Sequence, residues 1–272
     1  MRVDIAEAGE VNRVWYRQQA NDRLAAHAPL AELVSMIDGA LPSSNAWAFK
    51  VVEFAKTGAL IDALSICVQQ CGGDLAAGRA QHETRQGRWL VKRKAFEDLW
   101  TAGDTLIYCA ANPAHGLGVI GYGPFCFIIR PERIAGPNSA VFPGNTLTLY
   151  GTNTGVDMDR VFAEVGRWDF AADVGVYAFG DSVMQEPDET LWPDLICTDP
   201  SILEIVTDGP IDFGDVLEIR VSRSDQRRFN RLSVLDRESR LTDTSEQQLV
   251  AAWQIIQEWV DETYPDVVLR IV

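Results

Sequence analysis

Three glycines, Gly116, Gly118 and Gly121, carry the G-x-G-x-x-G spacing. In a dinucleotide-binding turn this spacing lets the backbone wrap a pyrophosphate at a helix N-terminus. That chemistry needs a strand before the glycines and a helix after them. Here "TLIYCA" supplies a strand, but "YGP" is a turn and "FCFIIR" alternates like a second strand until Pro131 stops it. The acid that would hold a ribose about twenty residues on is missing, since Glu132 comes too soon and sits beside a proline. The glycines therefore predict a connection between two strands, not a Rossmann turn.

Other reactive side chains give weaker patterns. Cys67 and Cys71 lie one helical turn apart, but no second Cys or His pair completes a tetrahedral site, so no metal is expected. His27, His82 and His115 show no ligand spacing, and the His-x-Glu of zinc deaminases is absent because His82 and Glu83 are adjacent. Cys109 or Cys126 with His115 would make a nucleophile pair, yet both cysteines fall in β-rich runs, where burial makes a thiol inert. The dense basic cluster Arg85, Arg88, Lys92, Arg93 and Lys94 could meet a phosphate or an acidic partner, and helical spacing reads it as a solvated face. The acids of "PDET" and "PDLICTDP" read as caps and turns.

The elements that must position these residues change character along the chain. Residues 1–102 read as a helical region. Val11, Val14, Trp15 and Gln18 share one face, "PLAELVSMIDGAL" is amphipathic up to Gly39, and Ser43-Ser44-Asn45 can cap the next helix, with Trp47, Val51, Phe54 and Ala55 on its face. "ALIDALSICVQQCGG" runs to a glycine stop, and "RWLVKRKAFEDLW" contains a further helix. Residues 103–272 read as an α+β domain. "TLIYCA", "FCFIIR", "LTLYG", "VGVYAF", "LEIVT" and "VLEIRVS" are short β-rich runs broken by turn residues. "SEQQLVAAWQIIQEWVDETY" is amphipathic through Leu249, Trp253, Ile256 and Val260, and "DVVLRIV" closes as a strand. The expected fold is α+β: a helical N-terminal region, then a mainly antiparallel, split sheet with a C-terminal helix and strand.

Composition narrows the partners. A net charge of −15 opposes phosphate neutralisation and so argues against nucleic acid or an anionic membrane, while fitting a basic protein partner. The most apolar stretch, "NAWAFKVVEFAKTGALIDALSICV", is interrupted by Lys50, Glu53, Lys56 and Asp62, which rules it out as a bilayer span. Five irregularly spaced cysteines and an N-terminus without a signal-peptide pattern predict a reducing, cytoplasmic setting, or export by a dedicated system.

Two segments carry a resemblance. Tyr108, Asn112, Tyr122, Gly123, Cys126, Arg130, Pro131, Glu132, Phe142, Gly144 and Thr146 in the first, and Glu204, Gly209, Pro210 and Asp215 in the second, fall in one order. Over about residues 105–221 the chain resembles a bacterial family of ADP-ribosyltransferase-like proteins related to toxins and effectors. The resemblance implies NAD as substrate and attack at its nicotinamide riboside carbon. It makes Glu204 the catalytic carboxylate and Tyr108, Tyr122 and Arg130 the NAD-binding residues. An oxocarbenium-like transition state needs one such carboxylate. The sequence departs from the family pattern where an arginine is expected before the Tyr108 strand, which is Asp104 or Thr105 here, and at Val206 and Asp208, where the family has Gln and His. Lost polar partners fit a degenerate scaffold as well as an enzyme. A non-enzymatic acidic protein, an immunity factor or inhibitor masking a basic partner, is the other class the sequence leaves open.

Overall fold

A computed structural model describes residues 2–113 and 116–272. The chain is α+β. Seven strands form one sheet: β1 (Leu41–Ala46), β2 (Leu106–Asn112), β3 (Phe125–Ile129), β4 (Ser139–Phe142), β5 (Glu204–Asp208), β6 (Val216–Val221) and β7 (Val268–Ile271). Their spatial order is β7-β6-β3-β1-β2-β5-β4. Every neighbouring pair is antiparallel except β6 with β7.

The sheet opens in its middle. β1 pairs with β2 only through Leu41–Ser43 against Ala110–Asn112. From Ser43 on, β1 follows β3, while Leu106–Ala110 of β2 follow β5. Ladder bonds are lost where the two strands part, and serine hydroxyls take over some of them: Ser43 Oγ donates to the Ala110 carbonyl and Ser44 Oγ to the Tyr108 carbonyl, both at 3.4 Å.

Alternation along the strands gives the sheet two different faces. On one, Ile107, Phe125, Phe127, Ile205 and Ile219 join the main core. Phe127 lies between Phe54 and Phe213 with ring centroids 6.0 Å from each. Helix α1 (Ile5–Val11) sends Ile5 to a smaller core on the opposite face, whereas this face is covered by helices that include α2 (Arg13–Ala26), α3 (Leu30–Asp38) and α4 (Ala48–Thr57). The other face carries Tyr108, Ala110, Cys126, Glu204, Glu218 and Arg220, together with a smaller core around Phe96, Trp100, Phe142 and Tyr150. α5 (Ala63–Gln70), α6 (Leu75–Gln86) and α7 (Leu90–Glu97) follow α4, and α7 turns Phe96 and Glu97 inward.

Four local expectations are corrected. Ser43-Ser44-Asn45 do not cap a helix; they lie inside β1, and Trp47 takes the cap position of α4 without a side-chain cap bond. "VGVYAF" is not a strand but part of α8 (Ala171–Gln185). Its residues Val174, Val176, Phe179 and Val183 are all buried, so apolar residues on several sides hide the helical period. Gly175 lets α8 approach α3, because a Cβ there would lie 2.2 Å from Ile37 Cδ1. "LTLYG" contains the short helix Thr146–Leu149, whose cap Asn145 accepts from the Thr148 N–H at 3.1 Å. On α1 and α2, Val11, Val14, Trp15 and Gln18 face outward, and Tyr16 and Ala20 fill the core instead.

The remaining long elements are α9 (Arg223–Arg237) and α10 (Thr244–Glu258), and α10 buries Trp253 and Ile256 as its pattern predicts. Among the described residues no helix is long and apolar enough to cross a membrane.

Candidate functional site

A cleft of about 350 Å³ occupies the opening between β1 and β2. Its walls come from parts of the chain that are distant in sequence. β1 brings Ser43, Ser44 and Asn45, β2 brings Tyr108, and β5 brings Glu204. The helices α4 and α7 contribute Lys50 and Arg93, and loops contribute Tyr122, Asn145 and Asp199.

Glu204 is the first residue of β5 and is 4% exposed. Its Oε2 accepts the Thr146 N–H at 2.7 Å. Burial pushes the carboxyl up to about 7, against the pull of that N–H bond and of the Arg93 charge, so it can hold or release a proton near neutrality. Tyr108 lies on the next strand. Its hydroxyl donates to Glu97 Oε1 at 3.2 Å, and the Arg93 guanidinium stacks 4.6 Å from its ring centroid. Arg93 Nε donates to the same Glu97 oxygen at 2.9 Å. Tyr122 is half exposed at the rim, held where Asn145 Nδ2 donates to its hydroxyl at 2.8 Å. Asn145 Nδ2 also donates to Asp199 Oδ1 at 2.8 Å, tying the two loops together.

Three of the four residues singled out from the sequence, Glu204, Tyr108 and Tyr122, thus share one cleft. Arg130 does not join them. It follows β3, where its Nε donates to the Gly214 carbonyl at 3.1 Å, and it does not line the cleft.

The glycine segment has a different role from a phosphate cradle. Asn45 Nδ2 donates to the Leu117 and Gly123 carbonyls, both at 3.0 Å, and Asn112 Nδ2 and Arg220 Nη1 donate to the Gly116 carbonyl at 3.0 and 2.9 Å. Gly118 has φ +64°, and a Cβ there would meet Asn45 Oδ1 at 2.3 Å; at Gly121 a Cβ would meet nothing within 4 Å. The segment is a strap between β2 and β3, and through Val119 and Tyr122 it forms part of the cleft wall.

Sequence reasoning missed several cleft residues. Arg93 belongs to the basic cluster read as a solvated face, yet its side chain is only 17% exposed. The other members do turn outward or sideways: Arg85 stacks on Phe49, and Arg88 and Lys92 approach Trp89. A signal for Arg93 was available in its spacing four residues before Glu97, an acid whose next turn is apolar. Asp199 was read as a loop acid and is one, though it faces the cleft. The thiols are poor nucleophiles, since burial pushes Cys109 and Cys126 each up to about 12. Their supposed partner His115 lies outside the described residues. Among the described residues no group of three or more His, Cys, Asp or Glu side chains is placed to hold a metal ion.

No protein-family model matches the chain, and no curated protein matches it significantly.

Proposed function

We propose that the cleft binds the nicotinamide–ribose half of NAD and that the protein transfers ADP-ribose to a macromolecular acceptor. One observation carries this reading: Glu204, a buried carboxyl titrating near neutrality, shares an opening in the sheet with Tyr108 and Tyr122. A cavity of about 350 Å³ suits half of a dinucleotide, with the adenine half lying beyond its mouth. Aromatic walls favour the cationic nicotinamide ring, whose charge also favours the ionised form of Glu204.

In the reaction the bond from ribose C1′ to the nicotinamide nitrogen breaks, and nicotinamide leaves neutral with the electron pair. The Glu204 carboxylate orients the ribose and stabilises the positive charge that develops there. A nucleophilic group of the acceptor bonds to C1′ and gives up its proton to the same carboxylate. Arg130 has no part in this reading, because it lies outside the cleft. Calorimetric titration with NAD, and chromatographic detection of released nicotinamide, test the proposal. Wild type should bind and turn over NAD, and Glu204→Ala should lose at least about 100-fold in turnover. Absence of binding at millimolar NAD overturns it.

A second reading, an acidic protein that docks a basic partner through its surface, is favoured by an outward apolar triplet. Val11, Val14 and Trp15 are 80%, 79% and 40% exposed on adjacent turns of α1 and α2, in a chain of net charge −15. It predicts salt-sensitive association that survives Glu204→Ala and is lost on Trp15→Ala.

A further inference from the structure

We infer that Lys50 and Arg93 form an anion subsite of the cleft, which takes the phosphate or pyrophosphate of its ligand; the inference rests on reading the cleft as a ligand site. Both side chains line the cavity, one from α4 and the other from α7. The Arg93 charge disfavours the Lys50 ammonium, and among the described residues Lys50 makes no ion pair or hydrogen bond. A half-buried ammonium without a partner and beside a second cation is a costly arrangement in the free protein.

The acids nearby do not relieve it. Asp62 is engaged by the Ser65 N–H at 2.8 Å and the Ser65 hydroxyl at 2.5 Å. Glu97 is engaged by Arg93 Nε and the Tyr108 hydroxyl. Asp199 accepts from Asn145. Glu204 is held by the Thr146 N–H, and it couples to Arg93 without a direct bond. Arg93 commits only its Nε, so its terminal nitrogens remain for a ligand among the described residues. Burial lowers the Lys50 ammonium to about 8, which still leaves it mostly charged at neutral pH.

A planar guanidinium fork and a point-like ammonium together match a multiply charged oxyanion better than a single carboxylate. The cationic charge of the site comes from two helices, α4 and α7.

Titration of the full chain with inorganic pyrophosphate, ribose 5-phosphate and NAD tests the subsite. Wild type should bind pyrophosphate, and Lys50→Met should weaken that binding by about tenfold or more, as expected for one lost charge-assisted contact. Since Lys50 has no protein partner to orphan, this variant should melt no lower than wild type, which separates lost binding from lost fold. Arg93→Gln should weaken binding similarly, and Arg88→Met, from the same basic run, should leave it within about twofold. Tighter binding of NAD than of ribose 5-phosphate assigns the subsite to a dinucleotide, and the reverse order to a sugar monophosphate; both outcomes keep the subsite. Pyrophosphate binding without NAD binding upholds the subsite and overturns the NAD reading. NAD binding unchanged in Lys50→Met overturns the subsite and leaves the NAD reading standing. Absence of pyrophosphate binding to wild type at millimolar concentration also overturns the subsite.

Discussion

Two groups of charges lie on either side of β1, and they differ in how completely they are paired. Beneath the glycine strap, Glu218 accepts from both Arg220 and Arg270, and Arg220 spends its remaining reach on the Gly116 carbonyl. Although burial pushes the Glu218 carboxyl up, the two arginines hold it below its ordinary value. Across β1, in the cleft, burial instead pushes Glu204 up to about 7 and Lys50 down to about 8, and Lys50 has no partner among the described residues. One group is closed and therefore stabilises. The other is open, and its unsatisfied charges are useful only to something that enters the cleft.

If the first group is structural, breaking it should have the largest effect on folding. Arg220→Met leaves the Gly116 carbonyl without that donor and weakens the hold on a buried carboxylate. We expect a loss of about 3–5 kcal/mol in urea denaturation, with little change in cleft chemistry per folded molecule. A loss under about 1 kcal/mol would place this group with exposed pairs instead.

The open group should show the opposite sign. The Glu204 carboxyl binds its proton more tightly folded, near pH 7, than at its ordinary value of 4.5. Between these values the native state holds more protons than the unfolded one, so this residue's contribution to stability falls as pH rises from about 4.5 to about 7 and is flat above. Glu204→Gln removes the titration. It should be more stable than wild type at pH 8 by about 2–3 kcal/mol while losing activity. Equal stability profiles from pH 4 to pH 8 would remove Glu204 from the open group.

The strap that joins the two groups gives the smallest and most local contrast. Gly118→Ala should cost about 1–3 kcal/mol, because a Cβ at φ +64° would strike Asn45 Oδ1, while Gly121→Ala, with empty space around it, should stay within about 0.5 kcal/mol. Thermal melts of the two variants side by side settle whether the glycines serve packing rather than a ligand.

These contrasts also show what the sequence makes legible. "FCFIIR" and "TLIYCA" are readable as strands because β-branched and aromatic residues cluster between turn signals. The α10 period is readable because one side of that helix is wet. β1 hides because "LPSSNA" puts serines and an asparagine where a strand normally puts apolar residues; they face a cleft that only tertiary structure creates. α8 hides for the opposite reason, being buried around much of its circumference. In the site, Glu204, Tyr108 and Tyr122 were reachable through the resemblance. Lys50 and Arg93 lie outside it, and a lysine or arginine on an amphipathic helix usually faces solvent; the spacing of Arg93 before Glu97 is the one local mark of an inward turn, and Lys50 has none.

Strand β1 has a consequence in time. It emerges among helices, yet its neighbours in the sheet are β2 and β3, more than sixty residues later in the chain. Helices made before it can form at once from local bonds, whereas β1 must wait, with both edges bare, until Ile129 has left the ribosome. During synthesis its serines and Asn45 keep that waiting strand hydrophilic. The polar character that later lines the cleft would first discourage the strand from pairing with a wrong partner.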